Sequence, residues 1–223
     1  MTKGLFFQAI LKMFLGIVLI GLLLFLPAGT FHYPAAWLFM AILFVPMLFI
    51  GIILMMKRPD LLRKRLNNKE QQTQQKMVVI LSILMFVLGF VTAGLNYRFA
   101  WLVMPEWISV IAAIMFFLYY LLYAEVMREN AYLSRTVEIQ ENQKVVDTGL
   151  YGVVRHPMYS ATILMFLSIP LILGSPVSFL IFLAYPIIIA KRIKNEEKVL
   201  EEGLNGYVEY KKKVKYKVIP FVW

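Results

Sequence analysis

Long apolar runs separated by short polar ones dominate the chain, and their lengths suit helices that cross a membrane. About 20 apolar residues span the ~30 Å of hydrocarbon in a bilayer. Between Lys12 and Lys57 there is no Asp, Glu, Lys or Arg, a run too long for one helix. Pro27-Ala-Gly-Thr-Phe-His-Tyr-Pro34 divides it, because proline and glycine interrupt helices. Two spans follow, roughly Gln8–Leu26 and Ala35–Met56. Lys57–Lys76 is polar, and spans three and four are expected at about Met77–Leu95 and Trp107–Ala124. A polar connector of mixed charge, Glu125–Arg155, comes next. The last apolar run, Pro157–Ala190, would be about 51 Å long as one helix. Gly174-Ser175-Pro176 at its middle reads as a turn between two arms, Tyr159–Leu173 and Val177–Ala190, with Pro170 and Pro186 as kink positions. Lys191–Trp223 reads as an amphipathic, basic tail on the membrane surface. The pattern predicts an all-α integral membrane protein with four spans plus a C-terminal helical hairpin, five to six transmembrane helices in all. Residues 1–124 form the N-terminal transmembrane bundle, and residues 125–223 hold the connector, hairpin and tail of the same membrane domain.

Composition agrees with a lipid environment. Of the 223 residues, 61% are hydrophobic, against ~45–50% in soluble domains. A chain this small cannot bury that excess in a soluble core. The apolar N-terminal run leads straight into a second span, and Ala28-Gly29-Thr30 is a poor cleavage site, so the run reads as the first span rather than a leader. Absence of cysteine removes disulfides and thiolate chemistry. With only two histidines, His32 and His156, no histidine metal cluster is expected.

Charge sets the expected orientation. The net charge of +10 would suggest nucleic acid in a soluble protein; here it marks cytoplasmic loops and anionic lipid, and no nucleic-acid partner is expected. All Lys and Arg residues except Arg98 fall in the N-terminus, Lys57–Lys76, the connector or the tail. Six passes put these four regions on one face, which the positive-inside rule makes cytoplasmic together with both termini.

Polar residues concentrate at the mouth of the hairpin. Before it runs Gln143-Lys-Val-Val-Asp-Thr-Gly149-Leu-Tyr151-Gly-Val-Val-Arg155-His156-Pro157-Met-Tyr159; after it come Arg192-Ile-Lys-Asn-Glu196-Glu197-Lys-Val-Leu200 and Gly206-Tyr207-Val-Glu-Tyr210. A hairpin brings these stretches together beside an apolar wall, and ionisable groups at a membrane boundary are functional candidates. Simple readings exist for each: snorkelling for Arg155, Lys191 and Arg192, helix capping for Glu125 and Asn130, interfacial belt aromatics for Tyr151 and Tyr159, and a solvated face for the glutamates.

The motifs Arg-His-Pro-x-Tyr after Gly-x-Tyr, Arg-x-x-x-Glu-Glu-x-x-Leu after the hairpin, and a closing Tyr-x-Glu-Tyr-Lys-Lys with Ile219-Pro220 resemble the isoprenylcysteine carboxyl methyltransferase family, whose wider group includes phospholipid methyltransferases. The resemblance covers about Glu125–Trp223. It implies a membrane methyltransferase using S-adenosylmethionine, with S-adenosylhomocysteine as product. It further implies that Gln143, Lys144, Val145 and Val146 run along the cofactor through their backbone. Tyr151 would contact the cofactor, and His156, Pro157, Met158 and Tyr159 would wrap it. Glu196 would hold it and Arg192 would face the substrate carboxylate. The stretch Leu204-Asn-Gly-Tyr207 is one residue shorter than the family's usual spacing, which leaves Glu197 as the alternative to Glu196. No Gly-x-Gly-x-x-Gly follows a strand pattern, so a soluble dinucleotide-type fold is not supported.

The residues fit that chemistry in their own right. Methyl transfer is an in-line displacement that depends mostly on positioning, and Arg192 and Glu196, at i and i+4, share one helix face. A carboxylate acceptor needs no base and gains from Arg192, whereas an amine must lose a proton. A phospholipid or other lipid amine is the alternative acceptor, and a small transporter or a scaffold is the alternative outside enzymes. Membrane lipids and a lipophilic substrate are the expected partners. If both termini are cytoplasmic, single cysteines introduced at 27–34 will react with an impermeant reagent in intact cells and those in the tail will not; equal reaction of both would defeat the topology.

Overall fold

The computed structural model describes residues 2–67 and 73–223, so positions 68–72 of the expected polar stretch Lys57–Lys76 lie outside the described residues. The described residues form helices and no strands. The long helices are α1 (Thr2–Ala28), α2 (Pro34–Lys57), α4 (Thr73–Phe99) and α5 (Glu106–Glu129), with a short α3 (Pro59–Leu66) between the second and third. The hairpin comprises α6 (Pro157–Ile172), α7 (Pro176–Phe182) and α8 (Ala184–Gly203), and α9 (Tyr207–Lys213) follows. Five stretches are long and apolar enough to cross a membrane, with Pro176–Gly203 counted as one. The sixth, α6, has 16 residues and reaches only about 24 Å. The integral membrane, all-helical architecture expected from the hydropathy pattern is present.

Breaks fall where the backbone chemistry requires them. The hairpin turn uses Gly174 at φ +69°, a left-handed conformation that glycine adopts without a Cβ clash. Ser175 caps α7 by accepting from the Ser178 N–H at 3.2 Å, and Pro176 fills the first helical position, where a missing N–H is harmless. The second arm departs from the expected Val177–Ala190 in two ways. It breaks at Leu183, because Pro186 has no N–H to offer the carbonyl four residues back, at Phe182. It then continues without interruption to Gly203, so the Lys191–Gly203 part of the expected tail is an extension of the hairpin helix.

The core is continuous from α1 to α8 and crosses the boundary at residue 124. Phe86 of α4 packs edge-on against Phe166 of α6 and Phe182 of α7, with ring centroids 4.9 and 5.5 Å apart. Phe166 in turn meets Tyr185 of α8 at 4.8 Å. Small residues let backbones approach, as is usual between helices in lipid. A Cβ at Gly94 of α4 would lie 2.6 Å from the Leu24 carbonyl oxygen of α1.

Polar bonds fasten both ends of the bundle. At one end Tyr33 donates to the Leu173 carbonyl at 2.6 Å, Asn96 holds the loop after α4 through both the Leu102 N–H and carbonyl, and Ser109 donates to the Leu171 carbonyl. At the other, Lys12 donates to the Leu66 carbonyl, Arg58 to that of Arg128, and Gln75 to that of Arg192. The connector, the hairpin mouth and α9 share this second end.

The tail does not simply lie on a surface. Residues 214–218 pass back across the start of α6, where the Arg155 and His156 N–H groups donate to the Tyr216 and Lys217 carbonyls at 2.9 and 2.8 Å. Val218 reaches the main core. Gly94→Ala should lower thermal stability in detergent by an amount typical of overpacking, about 1–3 kcal/mol. Gly51→Ala, where a Cβ meets nothing within 4 Å, should not; equal behaviour of the two would mean that α1 and α4 do not pack this closely.

Candidate functional site

The site is assembled from the connector inward. After α5, the Glu129 carboxylate accepts from the Leu150 N–H at 3.0 Å and fixes the 3-10 turn Gly149–Gly152. Asn130 donates to the Tyr151 hydroxyl at 2.9 Å, and Tyr210 of α9 donates to the Tyr151 carbonyl at 2.7 Å. Tyr151 is thereby gripped from both ends, and its burial raises the phenol pKa. Proline at 157 starts α6, which leaves His156 at the helix entry and turns the Arg155-His156 backbone towards the returning tail.

Around these elements lies a cavity with about 870 Å³ of empty space, including its open mouth. Gln143, Lys144, Val145, Val146, Tyr151, His156, Met158, Tyr159, Arg192 and Glu196 line it. Of the residues anticipated from the sequence, Pro157 and Glu197 do not. Pro157 shapes the first turn of α6. Glu197 is buried on another face of α8, where Oε1 accepts from Arg155 Nε at 2.7 Å and lies 3.3 Å from His156 Nε2; its Oε2 is 3.4 Å from Lys217 Nζ. The two neighbouring acids therefore occupy different environments, separated by the ~100° that one residue turns along a helix.

Glu196 faces the cavity. The Tyr159 hydroxyl donates to Glu196 Oε2 at 2.5 Å and accepts from Arg192 Nε at 2.8 Å. Arg192 Nη2 also donates to the Arg135 carbonyl at 2.6 Å. One phenol thus joins an arginine and a carboxylate on the i, i+4 face of α8, a chain of charge-assisted bonds that fixes both side chains. Arg155, which also lines the cavity, does not snorkel to the membrane surface: it is buried and binds Glu197 and the Val214 and Lys215 carbonyls, the latter two at 2.7 and 2.8 Å.

Several lining residues had no role in the sequence reading. Asn130 and its neighbours Tyr132, Ser134, Thr136 and Glu138 form one wall. Asn130 had looked like a helix cap, and no spacing rule marks an irregular connector. Leu204, Tyr207 and Tyr210 form another wall; their aromatic spacing was visible, but its use was not. Tyr207 lines the cavity, and its hydroxyl is buried with no hydrogen-bond partner among the described residues. A buried polar atom of this kind costs free energy unless something bonds to it.

The chain thus forms a helical membrane bundle with a part-polar cavity at one end of a short hairpin. The structure is similar to that of the eukaryotic intramembrane Ras methyltransferase, an isoprenylcysteine carboxyl methyltransferase, at 21% identity and a TM-score of 0.57, covering 92% of this chain and 74% of that one. Residues 109–202 match the isoprenylcysteine carboxyl methyltransferase family. The match reaches further upstream than the motifs did, into α5, and stops before Tyr207, so the closing Tyr-x-Glu-Tyr and Ile219-Pro220 lie beyond it. No curated protein matches the chain significantly.

The contrast between the two acids is measurable. Glu197→Ala would leave Arg155 buried without its counter-charge and should cost about 3–5 kcal/mol of stability, read as a large fall in melting temperature. Glu196→Ala, on the cavity wall, should fold normally. Equal melting temperatures for the two would remove Glu197 from its structural role.

Proposed function

We propose that this membrane methyltransferase transfers a methyl group from S-adenosylmethionine to a carboxylate oxygen of a lipophilic acceptor. The observation that carries the reading is the Arg192–Tyr159–Glu196 chain on the cavity wall. It sets a guanidinium for an anionic oxygen beside a carboxylate for a cationic cofactor group.

The residues present fit the cofactor. The cavity lining mixes polar and apolar groups, and Tyr207 on its wall has a hydroxyl with no hydrogen-bond partner among the described residues. Glu196, Tyr151, His156, Met158, Tyr159, Tyr207 and the backbone of residues 143–146 would hold it. When bound, S-adenosylmethionine supplies an electrophilic methyl group on a sulfonium.

The remaining work belongs to the chain. Glu196 offers a negative charge to the cofactor's ammonium or ribose hydroxyls. Tyr159 is held by two charged partners and keeps the guanidinium and carboxylate at fixed separation, so little reorganisation is needed when the reactants arrive. Arg192 can grip an anionic oxygen with a planar fork and does not act as a base. A carboxylate acceptor suits this arrangement because no proton has to leave. The basic residues gathered at this end support a cytoplasmic site, where a soluble cofactor arrives from water and the acceptor from the bilayer.

Titration calorimetry with S-adenosylhomocysteine on purified protein tests the cofactor half. Glu196→Ala should weaken binding by about 1.5–3 kcal/mol, the range for a bond to a charged group. Arg192→Lys keeps the charge without the fork and should slow transfer into lipophilic acids while cofactor affinity stays the same. If wild-type protein binds no cofactor, or if only amines are methylated, the carboxylate reading is wrong.

A further inference from the structure

Arg65 is a cation in an unusual place. It sits on α3, outside residues 109–202, in a part of the chain that the family match does not cover. Its Nη1 donates to the Ser134 carbonyl at 3.4 Å and lies 3.7 Å from Met158 Sδ; its Nη2 bonds the Tyr123 hydroxyl, and its guanidinium stands 5.4 Å from the Tyr123 ring centre. All of these partners are neutral, and Arg65 makes no ion pair among the described residues. Ser134 and Met158 are both cavity-lining residues.

Its relation to Arg192 is close. Arg65 reaches the carbonyl of Ser134 and Arg192 reaches that of Arg135. Two guanidiniums, one from α3 and one from the hairpin, are therefore fastened to successive peptide units, whose Cα atoms are about 3.8 Å apart. Burial pushes the Arg65 pKa down to about 10, and the facing positive charges of Arg135 and Arg192 add to the effect. Arg65 is still protonated at neutral pH, so positive charge is concentrated at this edge of the cavity. Like charges held together in a site of low polarity favour an anion between them.

We propose that Arg65 and Arg192 form a two-point clamp for the anionic headgroup of the acceptor, and that Arg65 is the specificity-determining member. This deepens the proposed function and rests on it. Both guanidiniums anchor beside the cavity wall, and a carboxylate has two oxygens to offer. In the reaction, an oxygen lone pair forms the new C–O bond as the C–S bond breaks, and that bond's electron pair stays on sulfur. The acid loses its charge and becomes a neutral ester. A clamp built from two cations holds the acid and lets the ester go, so the same pair that selects the substrate promotes product release. It also disfavours lipid amines, whose cationic form it repels.

The test measures binding rather than turnover. A fluorescent long-chain carboxylic acid and its methyl ester are titrated into purified protein in detergent, alongside titration of S-adenosylhomocysteine. Wild type should prefer the acid by about tenfold or more, the scale of one net charge-assisted bond. Arg65→Gln should lose most of that preference, with cofactor affinity unchanged, and Arg65→Lys should recover part of it. In turnover, Arg65→Gln should raise KM for the acid much more than it lowers kcat. An unchanged acid-to-ester ratio in Arg65→Gln overturns the clamp. So does a parallel loss of cofactor affinity in both variants, which would mean that Arg65 only braces α3. Wild type that binds the cofactor but prefers neither acid nor ester defeats the clamp alone; wild type that binds no cofactor defeats the proposed function with it.

Discussion

Everything at the functional end depends on one buried carboxylate. Glu197 of α8 gathers Arg155 and His156 from the entry to α6 and Lys217 from the returning tail. Burying a charge is tolerated only with good counter-charges and further hydrogen bonds. Here both conditions hold, because Arg155 also donates to two tail carbonyls and the two backbone N–H groups at 155 and 156 pair with the same segment. Next to this fixed point the cavity can keep a second set of charges for chemistry. Glu196 and Glu197 illustrate the division: adjacent in sequence, they differ in environment by one residue's rotation of α8.

The far end of the bundle is organised on another principle. There the polar side chains of Tyr33, Asn96 and Ser109 satisfy loop and helix-end carbonyls where water is scarce, as backbone groups near hydrocarbon require. Such bonds hold the turn that ends α6. A short α6 lets its N-terminus, with His156 and Tyr159, face a cavity that is continuous with the connector.

Much of this was legible in the sequence, for physical reasons. Hydrophobic run length reports spans directly, and the Gly174-Ser175-Pro176 turn is written in residues with few other uses. Arg192 and Glu196 were on one face by helical arithmetic. Long-range pairings were not legible. Nothing local in Arg155 says that it will bind a tail some sixty residues later rather than snorkel to the interface, and nothing in Lys211–Lys217 distinguishes a lipid-facing tail from a strap. α3 was hidden because its eight residues are too few for a periodic signal and too polar for a hydropathy one. The two-part second arm of the hairpin was hinted at by Pro186, but only packing decides whether proline kinks a helix or ends it.

The strap across Arg155-His156 has a consequence for how the protein is made. Residues 214–218 follow every membrane-spanning segment, and a bilayer-inserted chain delivers its spans in order. The bundle can therefore dock, with its aromatic contacts between α4, α6 and α7, while the wall formed by Tyr207 and Tyr210 is still being synthesised. During that interval Glu197 and Arg155 already face one another, but Lys217 and the tail carbonyls that complete their cluster are missing. The Tyr207–Tyr210 wall and the Glu197 cluster are thus completed only after the helices of the hairpin have been synthesised.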